Sequence, residues 1–107
     1  MSVIDPAIKP FYGISTGEKT VSALIHTGLG AFAGVVINTD GINNATIIVY
    51  DNTAASGKKV HEQVVLGADI TDGIVKWPPT EVFIGLYLSI SGTGASAIMD
   101  YIDRTGG

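Results

Sequence analysis

Short apolar runs separated by turn residues leave this chain few folds to choose from. "TVSALIH" (20–26), "AFAGVVIN" (31–38), "ATIIVYD" (45–51), "KVHEQVVL" (59–66), "GIVKW" (73–77), "EVFIGLYLSI" (81–90) and "ASAIMDYI" (95–102) are rich in Val, Ile, Thr, Tyr and Phe. Such side chains fit a pleated, half-buried surface. Between the runs lie "TGLG", "TDGINN", "NTAASG", "GADITDG", "PPT" and "SGTG", all of them turn chemistry. Turn signals recur about every 8–12 residues, the spacing of a sandwich or barrel. No window holds a sustained 3.6-residue apolar period with caps, which leaves room for at most a short helix in "TAASGKKVHEQ". The expectation is an all-β chain, with a single antiparallel β-sandwich or barrel-like domain of about seven strands over residues 20–107.

Alternation within the runs predicts which faces are buried. In "TIIVYD", Ile47 and Val49 share one face and Ile48 and Tyr50 the other, so both faces are expected to be covered. In "VFIGLYLSI", Val82, Ile84, Leu86, Leu88 and Ile90 form the expected core stripe. The opposite face carries Phe83, Gly85 and Tyr87, and there a neighbouring subunit is expected. "KVHEQVV" mixes polar and apolar residues on both faces, as an edge strand does.

Residues 1–19, "MSVIDPAIKPFYGISTGEK", have no periodicity and two prolines, each lacking a backbone donor. An extended N-terminal arm is expected there, with an ordinary N-terminal strand and loop as the alternative. Ile4, Ile8, Phe11 and Tyr12 are too apolar for a freely solvated tail, so they are candidate contacts with the same domain or a neighbour.

One motif points elsewhere. Gly28, Gly30 and Ala33 in "GLGAFA" match the dinucleotide-binding pattern, and Asp51 stands where a ribose-binding carboxylate belongs. That motif works only where a helix starts and aims its free N–H groups at a pyrophosphate. Here Gly34 would sit inside the helix, Val35, Val36 and Ile37 are consecutive β-branched residues, and "NTDG" ends the run. The segment reads instead as a strand, joined by an Asp-Gly turn to "TIIVYD" in an antiparallel hairpin. Gly34 then marks a bulge or a close backbone approach. No cofactor is expected.

Other chemistry is thinly represented. His26 and His61 lie on separate expected strands without metal-ligand spacing, and no G-x-S-x-G elbow supports a catalytic triad. Asp69 and Asp72, or Asn38, Asp40, Asn43 and Asn44, are oxygen-rich but do not match the twelve-residue calcium loop; capping of turns is the plainer role. No enzyme, catalytic residue or metal site is expected. Trp77, before Pro78 and Pro79, either closes one end of the core, anchors an interface or stacks on a sugar together with nearby tyrosines.

Composition bounds the partners. The 107 residues make one modest domain, and only 15% are charged against 46% hydrophobic, which suggests surface buried against partners. The net charge of −4 and the lack of a basic run argue against nucleic acid. No apolar run approaches the roughly 18 residues of a membrane span, and the charged, proline-containing N-terminus does not read as a signal peptide. With no cysteine there are no disulfides or thiolate metal sites.

"TIIVYDNTAASGKKV" and "VFIGLYLSISGTGASAIMDYI" resemble small β-rich proteins of tailed bacteriophages. In those proteins a strand ending in Tyr-Asp leads into "NTAASG", and a late "GLYL" strand leads through glycines to a final strand. The likeness spans about residues 20–102; Asp100 and Asp103 replace a plainer apolar or tyrosine-rich finish. The resemblance implies a virion structural role, as a capsid decoration or cement protein or a piece of the tail. The expected partners are the chain itself, as a homotrimer, and the major capsid or other virion proteins. The expected location is the virion, after synthesis in a host cytoplasm. Trp77, Phe83 and Tyr87 join the four arm residues as candidate interface positions.

Overall fold

The computed structural model describes residues 13–105. Among them are eight strands: β1 (Ile14–Lys19), β2 (Ala23–Thr27), β3 (Gly30–Asn38), β4 (Ala45–Asp51), β5 (Lys58–Val65), β6 (Thr71–Val82), β7 (Gly85–Ser91) and β8 (Ser96–Asp103). One sheet has the order β1-β8-β3-β6 and the other β2-β7-β4-β5, and every pairing is antiparallel. The all-β sandwich expected from the runs is the fold.

The pairing has a simple rule. β1 pairs β8, β2 pairs β7, β3 pairs β6 and β4 pairs β5. The chain is thus one long hairpin, with its tip between β4 and β5, rolled so that successive ribbon segments fall in alternate sheets. The two remaining pairings, β3 with β8 and β4 with β7, close each sheet. This is the jelly-roll arrangement of two four-stranded sheets.

Four expectations are corrected. First, β1 is an eighth strand inside residues 1–19, so the N-terminal strand given as the alternative to an extended arm holds for Ile14–Lys19. Thr16 Oγ accepts the N–H of Met99 at 3.1 Å, and a register shift between Ser15 and Glu18 breaks the alternation that would have announced the strand. Ile4, Ile8, Phe11 and Tyr12 lie outside the described residues. Second, β3 and β4 do not form a hairpin; they face each other from different sheets. The Asp40 carboxylate accepts the N–H groups of Ile42 and Asn43, so the loop closes on a side chain instead of a two-strand ladder. That loop is bolted to the β5–β6 crossover: Thr39 Oγ donates to the Gly67 carbonyl, and the Gly67 N–H donates to Asn44 Oδ1. Third, "PPT" is not a turn between strands. β6 continues through it, and the break comes later, at Phe83–Ile84. Fourth, Ile84 leaves the core stripe. Val82 ends a strand of one sheet and Leu86 begins in the other, and Ile84 sits exposed in the handover. No helix forms in residues 53–63; a 3-10 turn occupies Gly67–Asp69.

The interior holds Phe32, Val35 and Ile37 of β3, Ile47 and Val49 of β4, Leu86 and Leu88 of β7, and Ala97 and Met99 of β8. Ile48 and Tyr50, on the other face of β4, are half-buried. β5 is an edge strand, as its mixed pattern predicts.

Candidate interaction surface

Gly30–Asn38 is extended, so the glycine-rich segment starts a strand and no helix end is offered to a phosphate. Asp51 has another task. Its carboxylate accepts the N–H of Ile84 at 2.9 Å, that of Phe83 at 3.1 Å and that of Gly85 at 3.3 Å. Burial pushes this carboxyl up. The three amides and the nearby Lys58 charge outweigh that and hold it below the usual range. Gly28 joins the same corner, donating its N–H to the Ile84 carbonyl at 2.8 Å.

The two histidines are not brought into a common site. His26 Nε2 donates to the Leu29 carbonyl at 2.8 Å and lies 3.6 Å from Asp103 Oδ1, with its ring against Tyr101. His61 stacks on Phe32 from the opposite sheet, with ring centroids 5.4 Å apart, and Nε2 meets Gln63 Oε1. Each ring ties one sheet to the other. The oxygen-rich loops are likewise occupied: Asn38 Oδ1 accepts from Thr71, and Asp72 accepts from Gly73 and Gln63. Among the described residues no three His, Asp or Glu side chains gather as a metal-ligand cluster.

What stands out is the outer face of the β1-β8-β3-β6 sheet. Across the bulge in β6, Phe32 pairs Thr80 while Gly34 pairs Val75. Ala33 therefore faces four residues of β6, Lys76 to Pro79. Proline is tolerated here because β6 is an edge strand and the segment is out of the ladder. Gly34 is where the sequence predicts a close approach, and a Cβ there would lie 2.6 Å from the Ile74 carbonyl oxygen. The bulge pushes Trp77 outward, 69% exposed. Trp77, Val75 and Pro79 then wall an open groove of about 350 Å³ with Ala33 and Ile102. Lys76 and Asp100 add one charge of each sign, and Gly13 lies on the rim, where residues 1–12 join the described chain.

Apolar residues continue over the same sheet face. Val36, exposed, pairs directly with the half-buried Ile98. The other sheet's outer face is more polar. One row across its four strands reads Leu24, Tyr87, Tyr50 and Lys59; the next holds Ser89, Ile48 and Glu62.

No family model, curated protein or solved structure matches this chain. The surface must be read from its own residues.

Of the candidate positions within the described residues, only Trp77 lines the groove. Tyr87 lies half-buried on the opposite sheet, and among the described residues no tyrosine lines the Trp77 groove. Phe83, 67% exposed, lies at the Asp51 corner. Sequence reasoning missed Lys76 and Asp100 as groove residues. The signal was present in "AIMDYI", where Ile98 and Ile102 alternate with Ala97, Met99 and Tyr101, giving two apolar faces on one strand.

Proposed function

We propose that this chain is a non-enzymatic structural component of a tailed-bacteriophage particle, a capsid decoration or cement protein that binds copies of itself and other virion proteins. The observation that carries this reading is the apolar outer face around Trp77. A β-sheet with one face in the core ordinarily turns alternating polar residues to water. Here that second face offers Val36, Val75, Trp77, Ile98 and Ile102. Contiguous apolar surface of this kind marks a contact with another macromolecule. Two further points support the reading: the likeness of residues 20–102 to small phage proteins, and the jelly-roll arrangement, which capsid domains use. The second is analogy, since lectin domains and cupins use it too.

In this role the chain acts by adhesion. Each roughly 100 Å² of apolar surface it buries contributes about 2.5 kcal/mol before ordering costs. A closed cyclic oligomer, with the homotrimer as its expected form, leaves no open-ended contact. An antibody to the purified chain should label intact phage particles in electron micrographs. Particles that carry no label on head or tail contradict the proposal.

A glycan-binding module is the second reading, favoured by one observation: the exposed Trp77 ring stands in a groove beside the Asp100 carboxylate. An aromatic platform with an acceptor for hydroxyl groups can hold a sugar ring. Glycan-array binding that Trp77→Ala abolishes would favour it over the structural role.

A further inference from the structure

Resting on the self-association proposed above, we propose that the Trp77 groove is the contact between copies of this chain, with Lys76 of one copy set against Asp100 of the next. The apolar residues alone do not choose an occupant; the two charges do. Lys76 comes from the β6 side of the groove, Asp100 from β8. Among the described residues neither forms an ion pair, with each other or with a third group. The nearby charges on the same side of the sheet are spent differently: Arg104 and Glu81 bond each other through two contacts. Glu18, which pairs with Ile98 at the β1 margin, adds to the acidic side.

A surface with its base on one side and its acids on the other complements a second copy of itself. A like-charged partner meets repulsion from one half or the other, whereas a second copy can satisfy both. The apolar strip between them supplies the burial, and the charges set the register. This places Trp77 at the middle of the contact, where aromatic anchors carry most of the energy.

The test uses the full chain with Lys76→Asp, Asp100→Lys and the double swap. Mass is measured by sedimentation over a dilution series, together with acrylamide quenching of Trp77, the sole tryptophan. Each single swap opposes like charges and should weaken association on the order of tenfold. The double swap should restore it to within a few fold. At dilutions where every variant is monomeric, melting temperatures should agree, because no intrachain ion pair is lost. Single swaps without effect, or a double swap no better than either single, would overturn the assignment. So would a wild-type chain that stays monomeric with Trp77 shielded, which would give the groove to the chain's own residues 1–12. If the swaps fail while antibody still labels particles, the groove is the wrong surface and the virion role stands.

Discussion

The carboxylate of Asp51, the last residue of β4, accepts the N–H of Ile84 at 2.9 Å, at the point where the chain passes from one sheet to the other. Phe83 and Gly85 donate to the same carboxylate, so one side chain accepts from three consecutive amides at the handover. Asp51→Ala leaves them without it. The loss should be about 2–3 kcal/mol, since bonds to an ionised acceptor are worth more than neutral ones and buried orphans are costly. Asp51→Asn keeps one acceptor oxygen but turns an NH₂ group toward a donor, and should fall between. Denaturant unfolding checks both; an alanine variant as stable as the wild type would remove Asp51 from the corner.

Acid should loosen the fold for the same reason. The Asp51 carboxyl is held below the usual carboxylate range in the folded chain, and Asp40 and Asp103 are shifted the same way. A carboxyl depressed on folding contributes stability that is present above its unfolded pKa and disappears as pH falls through the folded one. Thermal melts should therefore hold steady near neutrality and decline below about pH 4. Asp51→Asn should decline less steeply. A wild-type melting temperature that rises on acidification would contradict the sign.

The β3–β4 and β5–β6 crossovers meet at Gly67. A Cβ there would lie 2.2 Å from the Ile42 carbonyl oxygen, which is backbone and has little room to yield. Gly67→Ala should cost about 3 kcal/mol, toward the upper end for overpacking. A control at Gly41, where a Cβ meets nothing within 4 Å but φ is +90°, should lose about 1 kcal/mol from backbone strain alone. Equal losses at both sites would mean that the crossover contact does not bear on stability.

Deleting residues 1–19 removes β1 and its pairing with β8. The shortened chain should melt well below one lacking only residues 1–12, the comparison that isolates the strand's own share. Coincident melting curves would show that the edge strand adds nothing.

How much of this the sequence reveals depends on the range of the interaction. Strand identity is local: β-branched runs such as "TIIVYD" extend wherever they are placed, and turn residues such as Gly92 and Gly94 mark their ends. Pairing is not local. Nothing in "AFAGVVIN" says that its ladder partners lie near residues 71–82 and 96–103 and not in the next run, because the choice rests on loop bonds such as Asp40 to Asn43 and Thr39 to Gly67. β1 was legible only as an alternative to an extended arm, because its bulge spoils the alternation and its residues are mostly polar. Trp77 was legible as a candidate, since an aromatic beside two prolines fits poorly in a central strand. Its groove was not, because Asp100 and Ile102 reach it from another strand, over twenty residues away in sequence.

If copies meet at the Trp77 face, the most direct measurement is the solution mass of the full chain beside Trp77→Ser. Trp77 is mostly exposed within one copy, so the substitution should leave the melting temperature of the dilute monomer nearly unchanged. The wild type should sediment as a closed oligomer at micromolar concentration, and Trp77→Ser as a monomer. A wild type that is monomeric throughout, or a variant that keeps the full oligomeric mass, would contradict it.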